Sequence, residues 1–174
     1  THLDIPNIYH SEVTASSMTP ILYEELNKIH KETGIKPVVA YETNNGGVFE
    51  LQRLATLNRE GHYNMYTQKK RGTTAGKEET PKYGFSTNSA TRPAILQQLK
   101  DCVDGQLIDF KDKPFINELF SFIVRPSGRA EAENSTHDDI VMSTAIAWEM
   151  YQTELQPNSM KRRIRAPKKV KFHV

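Results

Sequence analysis

KPVVAYETNNGGVFELQRLATLN, residues 36–58, decides the fold class. Its opening KPVVAYE (36–42) is a short, valine-rich apolar run that reads as a buried strand. TNNGG (43–47) then turns sharply. Residues 48–58 repeat apolar side chains at helical spacing, with Phe49, Leu51, Leu54 and Leu57 expected inward. A buried strand, a tight turn and an amphipathic helix in succession form the repeating unit of an α/β sheet.

The same alternation extends both ways along the chain. Residues 5–13 (IPNIYHSEV) read as a strand that Pro6 confines to its start or to a sheet edge. Ser17 and Thr19, followed by Pro20, mark a helix start, and Ile21, Leu22, Leu26 and Ile29 carry it to Gly34. Downstream, 63–67 reads as a strand and 68–82 (QKKRGTTAGKEETPK) as an exposed polar loop. Thr87 or Asn88 caps a helix running to about Asp104, facing inward with Ile95, Leu96, Leu99 and Val103. A short strand at 107–110 and a short helix at 113–120 follow. FSFIV and RAEAE flank a Pro-Ser-Gly turn and suggest a hairpin. A last helix opens near His137 and runs to about Glu154. Tyr41, Phe49, Tyr63, Tyr66, Phe85, Phe115, Phe120, Phe122 and Trp148 fall in these elements, mostly as core rather than as base-stacking platforms.

The 174 residues and 19.9 kDa fit one domain, and 37% apolar residues suffice for a core. Net charge is +2, unevenly spread. Residues 156–174 hold seven Lys or Arg and no acid, leaving 16 basic against 21 acidic groups, or −5, in 1–155. An acidic body with a basic, flexible tail is expected, with the domain boundary at 155/156. The pI therefore does not by itself indicate a basic DNA-binding domain. Cys102 stands alone, which rules out an internal disulfide, fits a reducing compartment and reads as a packed residue rather than a nucleophile. No apolar run reaches membrane length, and THLDIP lacks the pattern of a signal peptide. A soluble intracellular chain is expected.

GTTAGKE (72–78) is not a phosphate-binding loop: three residues separate its glycines instead of four, and Glu78 replaces the magnesium-binding hydroxyl. The sharper feature is acidic. Glu42 ends a buried strand, at the carboxyl edge where open α/β sheets bind ligands. Asp138 and Asp139 begin the last helix. Either aspartate can cap it, but only one at a time; the second, repelled by its neighbour, is best explained by a neutralising cation. Carboxylates on a strand end and a facing helix suit Mg²⁺ or Mn²⁺, and two such ions can hydrolyse a phosphodiester. His137 can ligate, shuttle protons or start the helix, and the histidines show no zinc-type spacing.

AYETNNGGVFELQRLATLN (40–58), YGFSTNSATRPAILQQLKDCVDG (83–105), INELFSFIV (116–124) and HDDIVMSTAIAWEMYQ (137–152) together resemble the nuclease domain of tailed-phage terminase large subunits, in order and approximate spacing. The resemblance covers about residues 5–152. It implies an RNase H-like fold, a central mixed β-sheet flanked by helices. It also implies a metal-dependent endonuclease that cuts concatemeric double-stranded viral DNA during packaging in the bacterial host cytoplasm, with portal and small terminase subunit as partners. The family's middle acid falls on Glu42 and its last on Asp138 or Asp139, giving catalytic and metal-binding roles to these three. Asn44, Asn45, Gly46 and Gly47 let backbone and amides approach the site, or serve only as a tight turn.

One departure stands out. The family's first catalytic aspartate, on the first strand, is expected before Thr1, and Asp4 does not replace it. The packaging ATPase is missing too, so the chain is expected to be a weakly active or inactive fragment. Lys69, Lys70, Arg71, Lys77 and Lys82 on the polar loop and Arg92 at a helix start are candidate phosphate contacts. A resolvase or transposase of the same fold class, and a non-catalytic module docking on DNA or portal, are the competing readings.

Overall fold

Short extended segments alternate with helices through the described chain: β1 (Leu3–Asp4), α1 (Ala15–Thr33), β2 (Val38–Val39), α2 (Gly47–Leu57), β3 (Asn64–Met65), α3 (Thr91–Asp104), β4 (Ile108–Asp109), α4 (Lys113–Ser121), β5 (Phe122–Val124), β6 (Ala130–Ala132) and α5 (Asp139–Met150), which continues into a π-helical turn, Tyr151–Leu155. This computed structural model describes residues 3–4, 8–9, 11–44, 46–68, 82–126, 130–133 and 137–155. The class is mixed α/β, with helices dominating small sheets. Among the described residues the strands pair as three two-stranded ladders: β1–β4 and β2–β3 parallel, β5–β6 antiparallel with Phe122 opposite Ala132. No helix of the described residues is long and apolar enough to cross a membrane.

The β2 ladder reaches further than its two named residues. Carbonyls of Pro37, Val39 and Tyr41 accept from the amides of Asn64, Tyr66 and Phe85, each at 2.8 Å, and the Thr43 amide returns to the Phe85 carbonyl at 2.8 Å. The chain from 37 to 43 is therefore one extended segment, with β3 beside its first half and Phe85 beside its second. Glu42 pairs in parallel with Phe85 at its end.

α5 is the central helix. Ile140, Val141, Met142, Ala145 and Ile146 are buried around it and form the main core with Tyr66, Phe85, Ile95, Leu99 and Phe115. Its buried residues cover most of its circumference and leave one exposed stripe, Asp139, Ser143 and Ala147, so it needs more than one neighbour; α3 and α4 both pack against it. A second cluster joins α1 to α2 through Leu26, Val39, Leu54 and Tyr63. Cys102, Ile108 and Trp148 make a third, with Trp148 stacked on Tyr151 at 5.5 Å. Burial pushes the Cys102 thiol up to about 11, which fits the expected packed, unreactive residue.

Several expectations need correction. The strand expected at 5–13 is absent at 8, 9 and 11–13; the extended pair lies earlier, at Leu3–Asp4. α1 begins at Ala15, so Pro20 lies inside the helix rather than in its first turn. Proline cannot donate to the Ser16 carbonyl four residues back. Arg53 Nη1 donates to that carbonyl instead, at 2.9 Å. α2 faces inward with Gly47, Leu51 and Leu54, leaving Phe49 73% and Leu57 38% exposed; Phe120 on α4 is 85% exposed. Those three are not core. The tail 156–174 and the loop residues Lys69, Lys70, Arg71 and Lys77 lie outside the described residues.

Candidate metal centre

Glu42 reaches its place through backbone packing. Gly47 opens α2 directly beneath it: a Cβ at Gly47 would lie 1.8 Å from the Glu42 carbonyl oxygen. Gly84, at φ +87°, brings the 82–86 segment so close that a Cβ there would meet Thr43 Cγ2 at 2.7 Å and the Tyr41 carbonyl at 2.8 Å. Only glycine permits both approaches. On the other side the Tyr41 hydroxyl hydrogen-bonds Thr19 Oγ1 at 2.9 Å, tying the strand end to α1. Asn44 completes the turn. Its Nδ2 donates to Glu42 Oε1 at 3.1 Å and also reaches Thr87, at 2.9 Å to the carbonyl and 2.7 Å to Oγ1.

The start of α5 is organised from two other helices. Asp138 is the residue before the helix and Asp139 its first, but Asp138 makes no side-chain cap. The capping acceptor is Glu118 on α4, whose Oε2 takes the amides of Ile140 and Val141, each at 2.9 Å. A carboxylate on these first N–H groups satisfies orphan donors and favours the helix dipole. Asp138 Oδ2 instead accepts from Arg92 Nη2 at the start of α3, a partly buried ion pair with side chains 19% and 26% exposed. The competition expected between the adjacent aspartates for the cap does not arise, because Glu118 holds the cap and Arg92 neutralises Asp138.

The two acidic sites share one electrostatic neighbourhood. The Glu42 carboxyl is held above the usual carboxylate range, first by partial desolvation. The Asn44 hydrogen bond and the Arg92 charge oppose this, while Asp138 and Asp139 add to it by like-charge repulsion. Glu42 is solvent-exposed as a residue, so its carboxyl is shielded on one side only. An all-oxygen donor set of this kind suits a hard divalent cation, which would relieve the repulsion. Among the described residues, however, no three His, Cys, Asp or Glu side chains lie close enough to hold one ion together. Asp138 is turned onto Arg92.

The structure thus brings together Glu42, Asn44, Asp138, Asp139 and Arg92. His137 is exposed ahead of α5, and Lys82 is exposed before the Tyr83–Phe85 bridges. Sequence reasoning missed Glu118 and the pairing of Arg92 with Asp138. The former left a trace, an acid in a helix facing an N-terminus, but its contacts span 22 and 23 residues. Of the two expected caps, Thr87 instead receives Asn44, and Asn88 Oδ1 accepts from the amides of Ala90 and Thr91 at 2.8 and 2.9 Å, just ahead of α3, whose N-cap Ala90 makes no side-chain cap. A surface cleft of about 540 Å³ lies elsewhere, beside Tyr23, Asn27, Glu60 and His62, and includes none of the expected site residues. No family model, curated protein or solved structure matches the chain.

Proposed function

We propose that this chain is the RNase H-like nuclease domain of a terminase large subunit, cutting double-stranded viral DNA by divalent-metal phosphodiester hydrolysis in the bacterial cytoplasm. One observation carries the reading. Glu42 and the Asp138–Asp139 pair, almost a hundred positions apart in sequence, meet in one electrostatic neighbourhood at the carboxyl end of an extended segment. Glu42 and Asp139 would hold Mg²⁺ or Mn²⁺, joined by Asp138 once it is released from Arg92, and Asn44 orients the Glu42 carboxylate. A divalent ion held by these carboxylates would make a water acidic enough to serve as nucleophile near neutral pH. Lys82 and Arg92 would contact backbone phosphates without reading bases. Portal and small terminase subunit are the proposed partners.

A supercoiled plasmid incubated with the protein and Mn²⁺ tests the reading. Slow nicking that disappears in Glu42→Ala is expected; efficient nicking that survives the substitution sinks the site assignment. The Arg92–Asp138 pair favours one second reading, a non-catalytic docking module on DNA or portal. It would show no carboxylate-dependent Mn²⁺ binding.

A further inference from the structure

We propose that Arg92 is an exchangeable counter-ion, holding Asp138 against divalent cations until a DNA backbone phosphate takes the guanidinium instead. The inference rests on the nuclease reading and adds to it a coupling between DNA binding and cation binding.

Arg92 stands in the first turn of α3, and its Nη2 crosses to Asp138 Oδ2, a residue 46 positions away. The pair is 19% and 26% exposed at its side chains: sheltered enough to matter, open enough for a phosphate to reach from solvent. Guanidinium is a planar fork that prefers two-pronged contact with carboxylate or phosphate. Nη2 bonds Asp138, while Arg92 Nε is buried with no hydrogen-bond partner among the described residues. Swung outward to a phosphate, the guanidinium would uncover Nε and meet the second acceptor it lacks beside Asp138.

The same charge decides what the acids can do. With Arg92 in place, the Asp138 carboxylate is already neutralised, and an incoming divalent ion meets a fixed positive charge beside Glu42. Once the guanidinium turns to a phosphate, Asp138 is released and the acids attract cations more strongly. Binding linkage makes the effect reciprocal: a phosphate that tightens cation binding is itself held more tightly once the cation is present. A nuclease built this way assembles its metal site on DNA and leaves it weak elsewhere. A static strut joining α3 to α5 would behave oppositely, because cutting it loosens the acids.

Calorimetric titration of Mn²⁺ into the full 174-residue protein, without DNA, distinguishes the two. Arg92→Gln is expected to bind Mn²⁺ about five- to tenfold more tightly than the unsubstituted protein, tenfold being about 1.4 kcal/mol. Arg92→Met keeps the alkyl stem and loses the charge; it should tighten binding similarly, which guards against a folding defect peculiar to glutamine. A short duplex, with its own Mn²⁺ heat subtracted, should tighten the unsubstituted protein and leave Arg92→Gln unchanged. Equal or weaker Mn²⁺ binding in both variants overturns the exchange while leaving the nuclease reading intact. Glu42→Gln separates the failures: if it binds Mn²⁺ as the unsubstituted protein does, the ion sits elsewhere and both readings fall.

Discussion

Replacing Glu118 by alanine removes the acceptor that starts the central helix. Its Oε2 takes two amides, those of Ile140 and Val141, both at 2.9 Å. Neither amide has an alternative cap from Asp138. Charge-assisted hydrogen bonds contribute about 1.5–3 kcal/mol each at most, and cap losses typically run about 0.5–2 kcal/mol. The first turn of α5 borders Asp138 and the exposed Asp139, so water can partly replace the lost acceptor. The single-bond and cap ranges overlap at about 1.5–2 kcal/mol, the loss expected for Glu118→Ala. Glu118→Gln retains an acceptor oxygen and loses the charge, so it should cost about 1 kcal/mol, the scale of the dipole term. Urea denaturation at neutral pH followed by far-ultraviolet circular dichroism measures both, provided the slope is unchanged. A Glu118→Ala midpoint within about 0.5 kcal/mol of the unsubstituted protein, the size of an ordinary surface change, refutes the cap.

Other substitutions test the packing around the site. Gly84→Ala should destabilise by at least about 2 kcal/mol, because it combines a positive φ with a Cβ 2.7 Å from Thr43 Cγ2; thermal melting near that of the unsubstituted protein contradicts this. Phe115→Ala, with Phe115 fully buried, is expected to lose about 3–5 kcal/mol, whereas Phe120→Ala should stay within about 0.5 kcal/mol; similar losses in urea would contradict the assigned faces of α4. The Cys102 thiol is raised in the folded protein from 9.0 to about 11. Its contribution to stability is therefore complete below pH 9 and lost as pH rises through 11. Denaturation between pH 8 and 11 should show a steeper loss in the unsubstituted protein than in Cys102→Ala, and parallel curves would refute the shift.

Local features were legible in the sequence because their causes are local. The valine-rich run at 36–42, the glycine-rich start of α2 after it, the stop of α1 at Gly34 and the antiparallel pairing of β5 with β6 each depend on a few neighbouring residues. Which face of a helix turns inward does not. Gly47, Leu51 and Leu54 recur at the spacing of one helical stripe, and Phe49 lies roughly opposite Leu51, yet apolar content alone placed Phe49 and Leu57 with the core. Phe120 misled in the same way at the end of α4. The candidate site shows the same division. Glu42 and the aspartate pair stood out by type and position. Their partners did not, because Arg92 meets Asp138 across 46 residues and Glu118 meets α5 across 22. Paired aspartates at a helix start look like a demand for a metal until another side chain supplies the opposite charge.

Manganese binding, read from the loss of the free-ion electron paramagnetic resonance signal, bears most directly on the proposed metal centre. The protein should bind Mn²⁺, and Glu42→Gln and Asp139→Asn should each weaken that binding about tenfold or more, the scale of losing one charged oxygen ligand from a site of few protein ligands. Binding of equal strength in all three proteins, or none in any, would contradict the assignment of Glu42 and Asp139 to one metal centre.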